Sequence, residues 1–388
     1  FHLYIMDYGL TEEQKEIIGI AQQIAEERIR PAAAELDEKG EFPTEILSQI
    51  AQSDLFGLYI PEKYGGFGGG TLELCLATEE FSKACGGVAV SYAATALGAY
   101  PILLYGTEEQ KQKYLPDIAS GKTLAAFAIT EPEAGSDASS VKTQATKDGD
   151  FYVLNGTKQW ITNGGEAGVY TVIAMTNKDK GARGLSCFIV EKGTPGFSFG
   201  KKEDKLGIRC SATRELIFTD CKIPKENIIG KEGLGFIVAM RTFDNSRPGI
   251  AAQAIGIAQG ALDLAIKYAK ERVQFGQPIS SFQGIQWMLA DMATQIEAAR
   301  ALTYSLCRMI DSGIKDVGKE SAQAKLFASD TAMKVTTDCL QIFGGYGYMR
   351  DYPIEKYMRD AKITQIYEGT NQIQRNIIAL KLIKETTS

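Results

Sequence analysis

Between residues 11 and 36 the apolar side chains Ile17, Ile20, Ala21, Ile24 and Ile29 recur at helical intervals. That spacing predicts an amphipathic helix, and Thr11 followed three residues later by Gln14 predicts a capping box at its start. Helical spacing returns at about 43–53, 71–84, 89–105 and 107–119, the last opened by Thr107 and Gln110 in the same relation. From residue 124 the texture changes to short β-type runs at 124–129, 151–154, 169–175, 185–190 and 215–218. Strands this close together, with no helix between them, predict a small antiparallel sheet or barrel. Long helical patterns then occupy 236–272, 282–312, 319–343 and about 370–384, lengths that suit an antiparallel bundle. The expected fold is α+β: an N-terminal helical domain at 6–121, a middle β domain at 122–232 and a C-terminal four-helix bundle at 233–388.

One glycine-rich run, Gly65-Gly66-Phe67-Gly68-Gly69-Gly70, lies between predicted helices and not after a strand. It therefore lacks the setting of a dinucleotide or Walker phosphate loop and is expected to be a flexible helix connection.

Composition narrows the chemistry. The 388 residues are 44% hydrophobic and 23% charged, ordinary globular values. Lys and Arg number 42 against 48 Asp and Glu, and the net charge of -6 gives no electrostatic reason to expect nucleic acid or an anionic membrane as partner. No apolar run is read as approaching the roughly 20 residues that span a bilayer, and no leader pattern opens the chain, so a cytoplasmic or mitochondrial-matrix setting is expected. Seven scattered cysteines with no Cys-x-x-Cys pair indicate neither a disulfide framework nor a thiolate zinc site, and most are expected in the core. The one histidine, His2, precedes Met6-Asp7-Tyr8-Gly9-Leu10, which looks like a natural start, and is a poor catalytic candidate. Without an interior histidine there is no Ser-His-Asp or Cys-His site and no histidine metal cluster. Proton abstraction then falls to a carboxylate, Lys, Tyr or Cys.

Four segments carry candidate chemistry. In Ala128-Ile129-Thr130-Glu131-Pro132-Glu133-Ala134-Gly135-Ser136-Asp137 a strand leaves into a Pro and Gly turn, where N–H groups and the hydroxyls of Thr130 and Ser136 suit the edge of a flat polar ring; a capped turn is the plainer reading. Trp160-Ile161-Thr162-Asn163 places a tryptophan in the β region, where a lone one is more often core. Arg272-Val273-Gln274-Phe275-Gly276-Gln277-Pro278-Ile279, continuing to Phe282-Gln283, joins two helices and offers a guanidinium suited to a pyrophosphate, or simply a solvated Arg. The fourth runs from Gln341-Ile342-Phe343-Gly344-Gly345 through Asp351, Lys356 and Asp360 to Ile366-Tyr367-Glu368-Gly369-Thr370-Asn371-Gln372.

Together these segments resemble the acyl-CoA dehydrogenase family over about Met6 to Lys381. The resemblance implies FAD as cofactor, contacted by Phe127, Ile129, Thr130, Ser136, Trp160, Ile161 and Thr162. It further implies that Arg272, Gln274, Phe275, Gln283, Gln341, Gly344 and Gly345 hold the cofactor's nucleotide half, partly on a neighbouring subunit, and that Thr370 and Gln372 touch the flavin nucleotide. Glu368 becomes the expected base, with its own N–H polarising a thioester carbonyl. Some branches carry the base on an earlier helix, at the position of Ser246, which cannot serve. Ser136, Asp244, Asn245, Ser246, Arg247, Tyr367 and Gly369 are the expected acyl-CoA contacts. An electron-transferring flavoprotein as electron acceptor and a homotetramer are likewise implied.

Gln253 and Thr364 resemble the floor of a short-chain pocket, which points to a four-carbon substrate such as butyryl-CoA; Gln253 as a mere helix contact is the plainer reading. Residues 86–101 contain no Arg or Lys, so a dicarboxylic thioester lacks its counter-charge there. Branched or alicyclic thioesters, an enoyl-CoA reductase direction, an oxygen-using flavin oxidase or monooxygenase, and a non-catalytic acyl-CoA-binding or electron-transfer module stay open as alternatives.

Overall fold

The computed structural model describes residues 8–386; His2 and the first residues of the Met6 run fall outside the described residues. Thr11 caps α1 (Glu12–Ile24) with the expected box. A π turn over Ala25–Ile29 then separates α1 from α2 (Arg30–Lys39), beside Pro31, which has no N–H to give to the preceding turn. The remaining N-terminal helices are α3 (Thr44–Gln52), α4 (Thr71–Ala84), α5 (Gly86–Tyr105) and α6 (Glu108–Ala119). The glycine run before α4 is a connection, but a packed one. Gly68 N donates to Ile60 O at 2.9 Å, and a Cβ on Gly66 would stand 1.9 Å from Ile60 O. Backbone rests on backbone there, so the expected flexibility is corrected to a close fit.

The middle region forms a sheet of β1 (Ala125–Ala128), β2 (Gln144–Asp148), β3 (Phe151–Thr162), β4 (Val169–Met175), β5 (Leu185–Glu191), β6 (Phe197–Lys202), β7 (Thr213–Pro224) and β8 (Ile228–Ile229). Its order is β6-β7-β3-β2-β4-β5-β8, with β1 beside β4. Most pairings are antiparallel; β1 runs parallel to β4, and β2 meets β4 in parallel at one residue pair.

The C-terminal region contains α7 (Gly235–Glu271), α8 (Gln283–Asp311), α9 (Gly318–Phe343), α10 (Ile354–Thr364) and α11 (Asn371–Thr386). α7 is the central helix. It packs against α4 at backbone distance, since a Cβ on Gly256 or Gly260 would stand 2.2 Å from Glu79 O or 2.3 Å from Lys83 O. By length and composition α5 and α7 are apolar enough to cross a bilayer, which corrects the reading that no run approached that length. Of each such window 78% is buried inside the fold, as in core helices. All seven cysteines are buried and unbridged, Cys75 and Cys307 meeting at 3.6 Å between their sulfurs.

Candidate active site

α5 lies so close on β1 that a Cβ on Gly98 would fall 2.4 Å from Ala126 N, and Thr171 Oγ1 donates to Gly98 O at 3.0 Å. That approach faces Val90, Ala93, Ala94 and Leu97 toward Phe127 and Ile129. Together with Phe243, Ser246 and Arg247 of α7 and the Tyr367-Glu368-Gly369 loop they enclose a cavity of about 360 Å³.

The β wall of this cleft depends on a buried ion pair. Lys158 Nζ meets Glu131 Oε1 at 2.8 Å and Ile129 O at 3.0 Å, out of solvent. Glu131 also accepts from the backbone N–H of Lys142 and Thr143, at 2.6 and 2.9 Å. Burial lowers the Lys158 pKa to about 8. Burial works to raise the Glu131 carboxyl, but the Lys158 charge and these hydrogen bonds hold it below the ordinary value. The pair fixes the turn after β1 against β3, as does the Gln159 N to Thr130 O bond at 2.8 Å. β3 bulges between Lys158 and Ile161, and there Trp160, at φ 57°, presents its indole 57% exposed at the cleft.

The helical wall begins at Pro248 inside α7. Proline gives no hydrogen bond to the carbonyl four residues earlier, Asp244 O, and Ser321 Oγ of α9 donates to that oxygen instead at 2.9 Å. Next to this break Arg247, 4% exposed, donates from Nε to Glu368 O at 3.1 Å, and Ser246 Oγ donates to Glu368 Oε2 at 2.6 Å. Glu368 has left-handed backbone at φ 51°, a conformation a side chain tolerates only when its surroundings hold it. Gln374 Nε2 adds bonds to Glu368 O at 3.1 Å and Gly369 O at 2.9 Å. Burial raises the Glu368 pKa from 4.5 to about 7, against the lowering effect of the Ser246 bond and of the Arg247 and Lys325 charges.

The structure divides the residues singled out from the sequence. Phe127, Ile129, Thr130, Ser136, Trp160, Ile161, Thr162, Ser246, Arg247, Tyr367, Glu368 and Gly369 line the one cavity. Arg272, Gln274, Gly344 and Gly345 line a separate surface hollow with Tyr346, whose ring lies 5.2 Å from the Arg272 guanidinium. Phe275, Gln283, Gln341 and Gln372 are exposed outside both, and Thr370 Oγ1 accepts from Ile373 N at 3.3 Å at the start of α11. Asp244 lies toward Arg241 and Arg247, and Asn245 bonds Arg241 O at 2.8 Å, facing away from the cavity. Gln253 and Thr364 are buried and do not line the cavity. Gln253 donates to Gly86 O at 2.9 Å and accepts from the Tyr367 hydroxyl, and Thr364 donates to Ala361 O at 2.7 Å. Lys325 and Gln374, which brace the Glu368 loop, carry no mark in the sequence, because Lys325 approaches from α9 with no local pattern to single it out.

Family models described as acyl-CoA dehydrogenase N-terminal, middle and C-terminal domains match residues 11–122, 126–221 and 233–383. The chain belongs to the acyl-CoA dehydrogenase family. A relative described as acryloyl-CoA reductase (NADH), from Anaerotignum propionicum, is 52% identical over 381 residues, 98% of this chain and 96% of the relative. The solved butyryl-CoA dehydrogenase of Megasphaera elsdenii superposes with a TM-score of 0.95 at 50% identity, covering 97% of this chain and 100% of that one. A chain of the solved structure described as an electron transferring flavoprotein of Acidaminococcus fermentans does so at 0.95 and 53% identity, covering 97% and 99%. The acyl-CoA dehydrogenase family chain described here is an oxidoreductase acting on CH–CH groups, with FAD as its cofactor. The cleft fits that group: beside the uncovered indole of Trp160, the hydroxyl-bearing Thr130, Ser136 and Thr162 border a mostly apolar cavity, a surface for a flat ring with a polar edge.

Proposed function

We propose that this chain dehydrogenates a short-chain acyl-CoA of the butyryl-CoA type to the trans-2-enoyl-CoA, with Glu368 as base. The observation that carries this reading is a buried carboxylate, bonded by Ser246 Oγ at 2.6 Å, that lines a mostly apolar cavity and is, among the described residues, the only acid there besides Asp137. Glu368 takes the α-hydrogen as a proton. The electron pair left behind forms the Cα–Cβ double bond as the β-hydrogen departs as hydride. FAD, when bound, supplies the hydride acceptor. Ser246 orients the carboxylate, Arg247 and Gln374 fix the loop that carries it, and the apolar wall of α5 excludes water and so keeps the base strong.

Thr130, Ser136, Trp160 and Thr162 are the proposed flavin contacts. Arg272, Gln274, Gly344 and Gly345, with the exposed Phe275 beyond them, are the proposed nucleotide contacts for a neighbouring subunit of a homotetramer, a role the separate hollow of the first four supports. Three domains at 6–121, 122–232 and 233–388, and an electron-transferring flavoprotein as redox partner, belong to the same proposal. The acryloyl-CoA reductase relative favours a second reading, in which the same site works toward the saturated thioester.

Anaerobic titration of the yellow protein with acyl-CoAs of increasing length tests the reading. Butyryl-CoA is expected to bleach the flavin rapidly, octanoyl-CoA slowly, and Glu368→Gln to abolish bleaching while still binding thioester. Comparable rates for both lengths would refute the short-chain assignment, and wild-type bleaching in the variant would refute the base.

A further inference from the structure

Lys325 sits two turns into α9 with no solvent exposure. Its Nζ donates to Gly369 O at 2.8 Å and to Asn371 Oδ1 at 2.9 Å, in the loop that follows Glu368. Asn371 is also tied to α9 through Nδ2, which donates to Asp330 Oδ1 at 2.7 Å. A carbonyl and an amide oxygen are satisfied by any neutral donor. A full positive charge, costly to bury, calls for a negative one.

The charged groups that bear on the Lys325 ammonium are Glu368 of the loop, Arg247 of α7 and Asp330 of its own helix. Asp330 is already engaged by Arg375 of α11 at 3.0 Å as well as by Asn371. Glu368 is left as the carboxylate of the loop that Lys325 holds through Gly369 O. Burial lowers the Lys325 pKa to about 7, with Glu368 the largest influence opposing it, while the Lys325 charge in turn lowers that of Glu368.

We propose that Lys325 is a positioning residue for the base, clamping the Glu368 loop from behind and holding the carboxylate ionised. It touches neither substrate nor reacting atoms, and the proposal rests on the reading of Glu368 as base. The test is the anaerobic reductive half-reaction of the holoenzyme with butyryl-CoA, followed across the neutral pH range. Lys325→Met should raise the midpoint of the rate–pH curve by about one unit, a roughly fivefold loss at the wild-type midpoint that is recovered in alkali, with KM nearly unchanged. Lys325→Arg should keep the wild-type midpoint. Lys325→Gln, which keeps a donor without the charge, should move as Met does and provides the measurement if the Met variant fails to fold. A midpoint unmoved in the uncharged variants, with only a lower melting temperature, overturns the proposal. So does an Arg variant that shifts with them. A wild-type flavin that no acyl-CoA bleaches refutes the dehydrogenase reading instead, and is seen before any variant is made.

Discussion

A carboxylate that takes a proton from carbon works against its own surroundings in this cleft. Burial favours the protonated form of Glu368, and only the ionised form abstracts. The reduction rate of the unliganded enzyme at low substrate should therefore rise with pH through about 7 and level off above it. Ser246→Ala removes a hydrogen bond made to the ionised form, so the midpoint should move upward; a stopped-flow pH profile reads it. Stability runs the opposite way. The raised folded-state pKa means the fold holds this proton more tightly than the unfolded chain, and stability falls as pH climbs from 4.5 to about 7. Glu368→Gln should thus melt higher than wild type above neutrality, with the gap closing in acid. Glu368 itself was legible from its motif, but Ser246 was read as a place where a base is missing and as a substrate contact, not as the donor that orients Glu368. Its bond to a partner 122 residues away has no signature along the chain.

At the scale of elements, the wall of the site hangs on a bulge and a buried pair. Lys158→Met leaves Glu131 buried beside two backbone donors but without its counter-charge, at a cost of about 3–5 kcal/mol. Denaturant melts should show that loss, and FAD should be released more readily as the turn after β1 loosens. Strand β4 was predicted at its observed bounds because its burial is continuous, whereas β2 and β6 were missed because polar and exposed residues break their pattern. α10 was overlooked inside a motif read for its chemistry, although Ile354, Tyr357 and Ala361 bury at helical spacing. Gln253 and Thr364 were read as floor; neither lines the cavity, and Gln253 reaches it through the Tyr367 hydroxyl. Distance from the ligand in three dimensions is not written in spacing along a helix.

At the scale of the whole molecule, Phe275 is 94% exposed and Trp287 64% exposed, apolar side chains that the proposed homotetramer would cover. Phe275→Asp should leave the fold of each chain intact by circular dichroism while lowering both the sedimentation coefficient and FAD retention. A variant that sediments and holds FAD as wild type does would refute the shared-site assembly. The three-part order of helix, sheet and helix was legible because each part has its own period. The joining of the parts was not, since it relies on glycines whose meaning is the backbone they touch.

The contact of Gly98 with β1 has a consequence for how such an enzyme acquires a new substrate. Because helix and strand already meet at main-chain distance, the spacing between the two sides of the acyl cavity is fixed by backbone and cannot be widened or narrowed by sliding one past the other. Variation in substrate range is thereby confined to the side chains projecting from a rigid frame. A library aimed at bulkier thioesters should diversify Val90, Ala93 and Leu97 and keep Gly98 constant, much as a lock is rekeyed by changing its pins while the cylinder stays the same.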